Sequence, residues 1–158
     1  MKGKMMLATQ EEIIKIVRDG QAEGKTFVVT NGCFDILHVG HVRYLQKTKE
    51  FADNLIVMLN SDISVKSIKG PDRPINCEED RAEILSSLSC VDYVVLFDEK
   101  SPAKLLEDIK PNVYTKGADY TLETLPERDV VLQNNIKVEF IEFVEGKSTT
   151  NVIKKISK

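Results

Sequence analysis

The sequence predicts an α/β fold, a doubly wound five-stranded parallel sheet. Short apolar, partly β-branched runs recur along the chain and alternate with segments of helical spacing. That alternation implies parallel strands joined by crossover helices. Every cluster of chemistry-bearing residues falls just after a strand candidate or just before a helix candidate, where such sheets bind ligands. With 158 residues and no internal repeat, low-complexity tract or linker, one domain is expected, with a real core.

The elements follow in order. Thr9 and Glu12 form a capping-box start for an amphipathic helix that runs to about Gly24, with Ile13, Ile14, Ile16 and Val17 apolar. Residues 1–24 read as a helical extension ahead of a main body at 25–158. Strands are expected at Thr26–Thr30, Leu55–Asn60, Tyr93–Phe97, Asn112–Tyr114 and Lys137–Phe143. Helices are expected at Val39–Phe51, Glu78–Leu88, Pro102–Ile109, a short piece near Pro126–Gln133, and Thr149–Ile156.

Bulk properties narrow the function classes. The balance of 22 basic and 25 acidic side chains argues against a broad nucleic-acid surface. No apolar run approaches membrane-spanning length, and Met1 to Ala8 lacks a signal-peptide pattern. Cys33, Cys77 and Cys90 are odd in number and widely spaced, so reduced thiols in a cytoplasm are expected.

Both histidines fall in one stretch, Gly32-Cys33-Phe34-Asp35-Ile36-Leu37-His38-Val39-Gly40-His41. It joins a strand to a helix, where unpaired N–H groups and the helix dipole favour an anion. Two imidazoles three residues apart can point the same way and hold phosphate. Gly32 and Gly40 let the backbone approach. The alternatives are a zinc pair or two capping histidines, and zinc would need a third and fourth ligand. Asp35 beside them is a candidate to pin the turn.

Three further clusters carry polar chemistry. Lys66, Lys69 and Arg73, with Gly70, Pro71 and Pro74, read as a basic turning loop, and Arg81 follows on the next helix. Several cations there would bind phosphates, and Arg81 could instead orient a carboxylate. Lys116-Gly117-Ala118-Asp119-Tyr120 closes the fourth predicted strand, where a nucleotide could pass close to Gly117 or an ordinary turn could sit. Gly146-Lys147-Ser148-Thr149-Thr150 precedes the last helix, so its hydroxyls could cap the helix or hold a triphosphate.

The histidine stretch resembles the HxGH signature of the cytidylyltransferase-like nucleotidyltransferase superfamily. Asn60-Ser61-Asp62, Lys69-Gly70-Pro71-Asp72-Arg73-Pro74, Lys116 to Tyr120 and Ser148 to Ile153 are similar to the adenylyltransferase part of the bacterial ADP-heptose synthases. The resemblance runs from about Lys25 to the C-terminus and implies a Rossmann-like nucleotidyltransferase fold. It implies AMP transfer from ATP to a sugar 1-phosphate, D-glycero-β-D-manno-heptose 1-phosphate, with release of pyrophosphate. His38, His41 and Lys69 would be catalytic. Gly32, Cys33, Phe34, Asp35, Gly40, Lys116, Gly117, Ser148, Thr149 and Thr150 would bind nucleotide. Lys66, Lys69, Arg73 and Arg81 would bind the sugar phosphate. Lys147 departs from the family pattern, so no catalytic role is assigned to it. Magnesium would arrive with ATP and be held by the phosphates rather than by a protein metal site. A homodimer and a separate upstream sugar kinase are expected as partners, with no nucleic acid and no membrane. The alternatives are a cytidylyltransferase acting on glycerol 3-phosphate or a similar ester, a nucleotide-binding regulatory module without turnover, and a metal-binding module.

Overall fold

The computed structural model describes residues 7–142 and 149–157. Among the described residues six strands form one sheet: β1 (Leu7–Ala8), β2 (Phe27–Gly32), β3 (Asn54–Asn60), β4 (Tyr93–Phe97), β5 (Val113–Gly117) and β6 (Lys137–Ile141). Their order is β1-β4-β3-β2-β5-β6, and every pairing is parallel. The chain steps from β2 outward through β3 to β4, then returns to lay β5 on the other side of β2. The strand order therefore reverses between β2 and β5. A crevice opens at such a point beyond the carboxyl ends of the strands.

The helices are α1 (Gln10–Ala22), α2 (Val39–Lys49), α3 (Asp62–Lys69), α4 (Glu78–Ser86), α5 (Ala103–Ile109), α6 (Arg128–Gln133) and α7 (Thr149–Ile156). Each face of the sheet has its own core. Val29, Ile56, Met58, Val95 and Tyr114 pack under Ile13 and Val17 of α1, Leu105, Leu106 and Ile109 of α5, and Val131 of α6. Val28, Leu55, Val57, Leu59 and Val94 pack under Leu45 of α2 and Ala82 and Leu85 of α4. Neighbouring residues of one strand are thus both buried, which is why these strands read as unbroken apolar runs.

The α1 capping box is present: Thr9 Oγ1 accepts from Glu12 N at 3.1 Å, and Glu12 Oε1 accepts from Thr9 N at 2.9 Å. The helix read as an extension packs into the first core through Ile13 and Val17, and β1 ahead of it pairs with β4. β1 is a sixth strand where five were expected, because two residues carry no readable alternation. A second correction concerns Lys66 and Lys69. They lie on the last turn of α3, not in a loop; Ser61 caps that helix by accepting from Ser64 N, and Gly70 ends it at φ 100°. The third is one of length. β2 runs on to Gly32 and β5 to Gly117, so Lys116 and Gly117 belong to a strand rather than to the turn after it.

A buried hydroxyl seam seats α2 over the reversal point. Tyr44 Oη lies 3.0 Å from Thr30 Oγ1 on β2 and 3.3 Å from Thr115 Oγ1 on β5, and Thr48 Oγ1 lies 3.2 Å from Thr115 Oγ1. A slide of α2 along the sheet would break these bonds in a dry layer, at roughly 1–3 kcal/mol for each polar group left unpaired. The first turn of α2 is thereby fixed relative to both central strands.

Candidate active site

β2 ends at Gly32, and the next six residues carry the chain to His38, the N-cap of α2. Phe34 adopts φ 45°, a left-handed conformation that costs a non-glycine residue about 1–3 kcal/mol. Its ring folds back over Gly32, where an added Cβ would sit 2.7 Å from a ring carbon. The same ring meets His41 edge-on at 5.1 Å between centroids. Gly32 therefore serves the packing of Phe34, and Phe34 serves the placement of His41.

The two histidines cap the helix reciprocally. His38 Nδ1 accepts from Gly40 N at 3.1 Å, and His41 Nδ1 accepts from His38 N at 3.3 Å. Their rings stack with centroids 3.8 Å apart and planes 25° apart. In a neutral imidazole one nitrogen accepts and the other carries the proton. With Nδ1 accepting from the backbone, the proton of His41 belongs on Nε2. Burial first, then His38 and then Lys69, push the pKa of His41 down from 6.5 to about 4. At neutral pH it is an uncharged N–H donor at a helix N-terminus.

This shift has a consequence for stability. The folded-state pKa of His41 lies below its unfolded value. As pH falls from 6.5 toward 4, the unfolded chain takes up a proton that the folded chain refuses. The contribution of His41 is complete above pH 6.5 and is lost on the way down to pH 4. Urea unfolding at pH 7 and pH 4.5 is therefore expected to show wild type losing more stability than His41→Gln. Equal losses would count against a buried neutral His41.

A buried acid and a buried base hold the histidine loop. Asp35, with no side-chain exposure, accepts from Ile75 N and Asn76 N at 2.9 Å and from Arg73 Nε at 3.0 Å. Burial works to raise its pKa, but the bonds from Asn76, Ile75 and Arg73 outweigh burial and hold it below the usual range. Asn76 Nδ2 in turn donates to Asp35 O at 2.7 Å. Arg81, 1% exposed, donates to Asn76 O at 2.9 Å, Cys33 O at 2.8 Å, Asn60 O at 2.7 Å and Asp62 Oδ1 at 2.8 Å. Four of its five N–H donors are thus spent inside the protein. Of the two roles read for Arg81, substrate ligand or partner of a carboxylate, the structure shows the second: it pairs with Asp62 and ties the ends of β2 and β3 to the start of α4.

The structure brings other expected residues to the same edge of the sheet. Lys69 is exposed, yet its charge is felt by His41 and by the Cys33 thiol. Burial raises the pKa of Cys33 against the opposing pull of Lys69, Arg81 and Arg73, which keeps it a thiol. Arg73 leans on Asp35 and keeps a buried Nη2 that bonds to none of the described residues. Lys66 is exposed and enters no ion pair among the described residues.

Lys116 is more committed than its sequence context suggests. Its Nζ reaches Asn31 Oδ1 at 3.1 Å, Glu127 Oε1 at 3.2 Å and Tyr114 Oη at 3.3 Å, and it lies 5.3 Å from the centre of the Tyr120 ring. Glu127 and Asn31 were not singled out from sequence. Glu127 sits in a polar stretch that reads as surface, and only the fold buries it to 2% exposure. Gly146, Lys147 and Ser148 lie outside the described residues, and Thr149 and Thr150 open α7. Among the described residues no three side chains of metal-binding type come together, and no helix is long and apolar enough to cross a membrane.

Comparison with known proteins gives consistent matches. A family model described as cytidylyltransferase-like matches residues 29–155. The chain is 48% identical over 157 residues to the bifunctional protein HldE of Geobacter sulfurreducens, covering 99% of this chain and 32% of that protein. It is 53% identical over 141 residues to HldE of Geobacter metallireducens, covering 89% of this chain and 29% of that protein. The chain thus spans about a third of the length of these relatives. Among solved structures, the lipopolysaccharide core biosynthesis protein of Thermoplasma volcanium aligns with a TM-score of 0.61 at 31% identity, covering 77% of this chain and 98% of that one.

Proposed function

The chain belongs to the cytidylyltransferase-like family, and from that premise we propose that it transfers AMP from ATP to D-glycero-β-D-manno-heptose 1-phosphate. A phosphate oxygen of the sugar phosphate attacks the α-phosphorus of ATP in line. The bond from that phosphorus to the bridging oxygen breaks, and pyrophosphate leaves with that oxygen, yielding ADP-heptose. Such a transfer needs little covalent help from protein; it needs alignment and donors aimed at the charge that develops on the phosphates. No covalent enzyme intermediate is formed.

One observation carries this reading. The stacked histidines spend Nδ1 on the helix start, which makes His41 an uncharged Nε2 donor with Lys69 close enough to shift its pKa. We assign His38 and His41 to the phosphates and Lys69 to the charge of the leaving pyrophosphate. Lys66 and Arg73 are assigned to the sugar phosphate, and the Ser148–Thr150 run to the triphosphate. Magnesium would be carried in on ATP and held mainly by its phosphates. It would offset phosphate charge. A sugar kinase activity must supply the phosphorylated acceptor.

The choice of base is assigned to Lys116–Tyr120 and the residues just before Thr149, since the histidines would serve any triphosphate. ATP is expected to exceed CTP by at least about tenfold in kcat/KM, a gap of ~1.4 kcal/mol in transition-state binding. Steady-state pyrophosphate release with heptose 1-phosphate measures it. A preference for CTP would move the assignment to a cytidylyltransferase of small phosphate esters. Absence of pyrophosphate release with every pair tried would leave a nucleotide-binding module.

A further inference from the structure

Asn31 closes the face of β2 that carries Val29, one residue before the loop to the histidines. An ammonium can only donate. The Asn31 atom 3.1 Å from Lys116 Nζ is therefore its amide oxygen. The Tyr114 hydroxyl lies 2.8 Å from the same oxygen and shares its one proton between Asn31 and Glu127, which is 2.7 Å away. Two neighbours thus fix the orientation of the amide. Its Nδ2 is left with two N–H donors that bond to none of the described residues, and Asn31 is only half-buried.

The surroundings say what such a donor would meet. Lys116 has three N–H bonds and three acceptors inside the protein, and Glu127 offsets its charge. It has no donor left for a ligand. The buried acids there are engaged as well: Asp35 with Ile75, Asn76 and Arg73, and Glu127 through Oε1 with Tyr114 and Lys116; Asp119 is exposed on the turn after β5. The side-chain donors left toward the end of β2 are Asn31 Nδ2, the Nε2–H of His41 and the ammonium of Lys69. Donors at this edge, beside buried carboxylates that are already engaged, suit an oxygen that only accepts, as in a phosphate.

We propose that Asn31 is a phosphate contact of the substrate complex, with Lys116, Tyr114 and Glu127 as the group that positions its amide. The assignment rests on the nucleotidyl-transfer reading above. The phosphate could belong to ATP or to the acceptor, and the test separates the two.

The test is Asn31→Asp, with wild type alongside. Aspartate keeps an oxygen facing Tyr114 and Lys116 but turns a second, anionic oxygen to the crevice in place of the donor. Calorimetry with MgATP and, separately, with heptose 1-phosphate is expected to show at least about tenfold weaker binding of one of them, through lost hydrogen bonding and like-charge repulsion. Weaker ATP assigns the triphosphate, and weaker heptose 1-phosphate assigns the acceptor. Asn31→Ala should weaken the same ligand about threefold to tenfold and serves if the aspartate variant fails to fold. Tyr114→Phe should raise the KM of that same substrate with kcat little changed, which loss of packing alone would not do selectively. If folded Asn31→Asp and Asn31→Ala bind every ligand of wild type within twofold, the proposal is overturned. A wild type that binds ATP but releases no pyrophosphate would instead defeat the proposed function, and the calorimetric comparison would still decide the role of Asn31.

Discussion

His41→Ala is expected to fold and to lose at least about a hundredfold in turnover with ATP, equivalent to roughly 2.7 kcal/mol of transition-state stabilisation. The fold should survive because α2 is seated by Leu45 in the core and by the Tyr44–Thr30–Thr115 hydroxyls, none of which the substitution touches. The truncation removes a bond to His38 N at 3.3 Å and a ring edge against Phe34, losses that bear on the first turn only. Under the proposed assignment, turnover should fall because the uncharged donor held against the helix start, assigned to the phosphates, is lost. Unfolding curves and pyrophosphate release on one preparation check both halves. Near-normal turnover in a folded variant would remove His41 from the chemistry.

The second large effect falls on stability. Arg81→Ala should destabilise the protein by roughly 3–5 kcal/mol, as when one partner is removed from a buried charged network. Asp62 would lose its ion pair, and the carbonyls of Cys33, Asn60 and Asn76 would each lose a charged donor in a largely dry site. Arg81→Lys should recover little, because one ammonium cannot reproduce a fork that reaches four oxygens. Lys104→Ala, at a side chain 74% exposed, is the control, expected within about 0.5 kcal/mol of wild type. Urea denaturation gives all three values. A loss below 1 kcal/mol for Arg81→Ala would mean the network is dispensable.

Parts of this architecture can be read locally and parts cannot. β2, β3 and β4 are legible because both faces are covered, so three to five consecutive apolar residues stand together in the chain. β1 is illegible because two residues pair only by virtue of where β4 already lies. The helix α3 escapes because only Ser64 and Val65 are buried, and the Gly70–Pro71 turn signal dominates its end; Ser61 followed by Asp62 was the available sign of its start. The site divides the same way. The histidine pair is legible since its partners are two and three residues away. Asp35, Arg81 and Glu127 take their partners from other elements, and no spacing in the sequence announces those meetings. Arg81 shows the risk: a cation close in sequence to residues read as phosphate ligands reads as one too, until its donors are counted.

The helix start that carries the histidines has one more implication. Serine or threonine at the first position of a capping box and glutamate three residues on are the residue types that begin helices well, and histidine is not among them. At Thr9 and Glu12 the protein uses the favourable pair; at His38 and His41 it does not. The second site lies off the stability optimum of its own local geometry, beside a Phe34 backbone that is itself strained. A search for stabilising substitutions would therefore be drawn to positions 38 and 41 early, and with the roles proposed for these histidines the sturdier proteins it found are expected to be inert. Thermostability gained at this turn is a warning of lost activity, whereas gains at Thr9 or on the outer face of α5 carry no such warning.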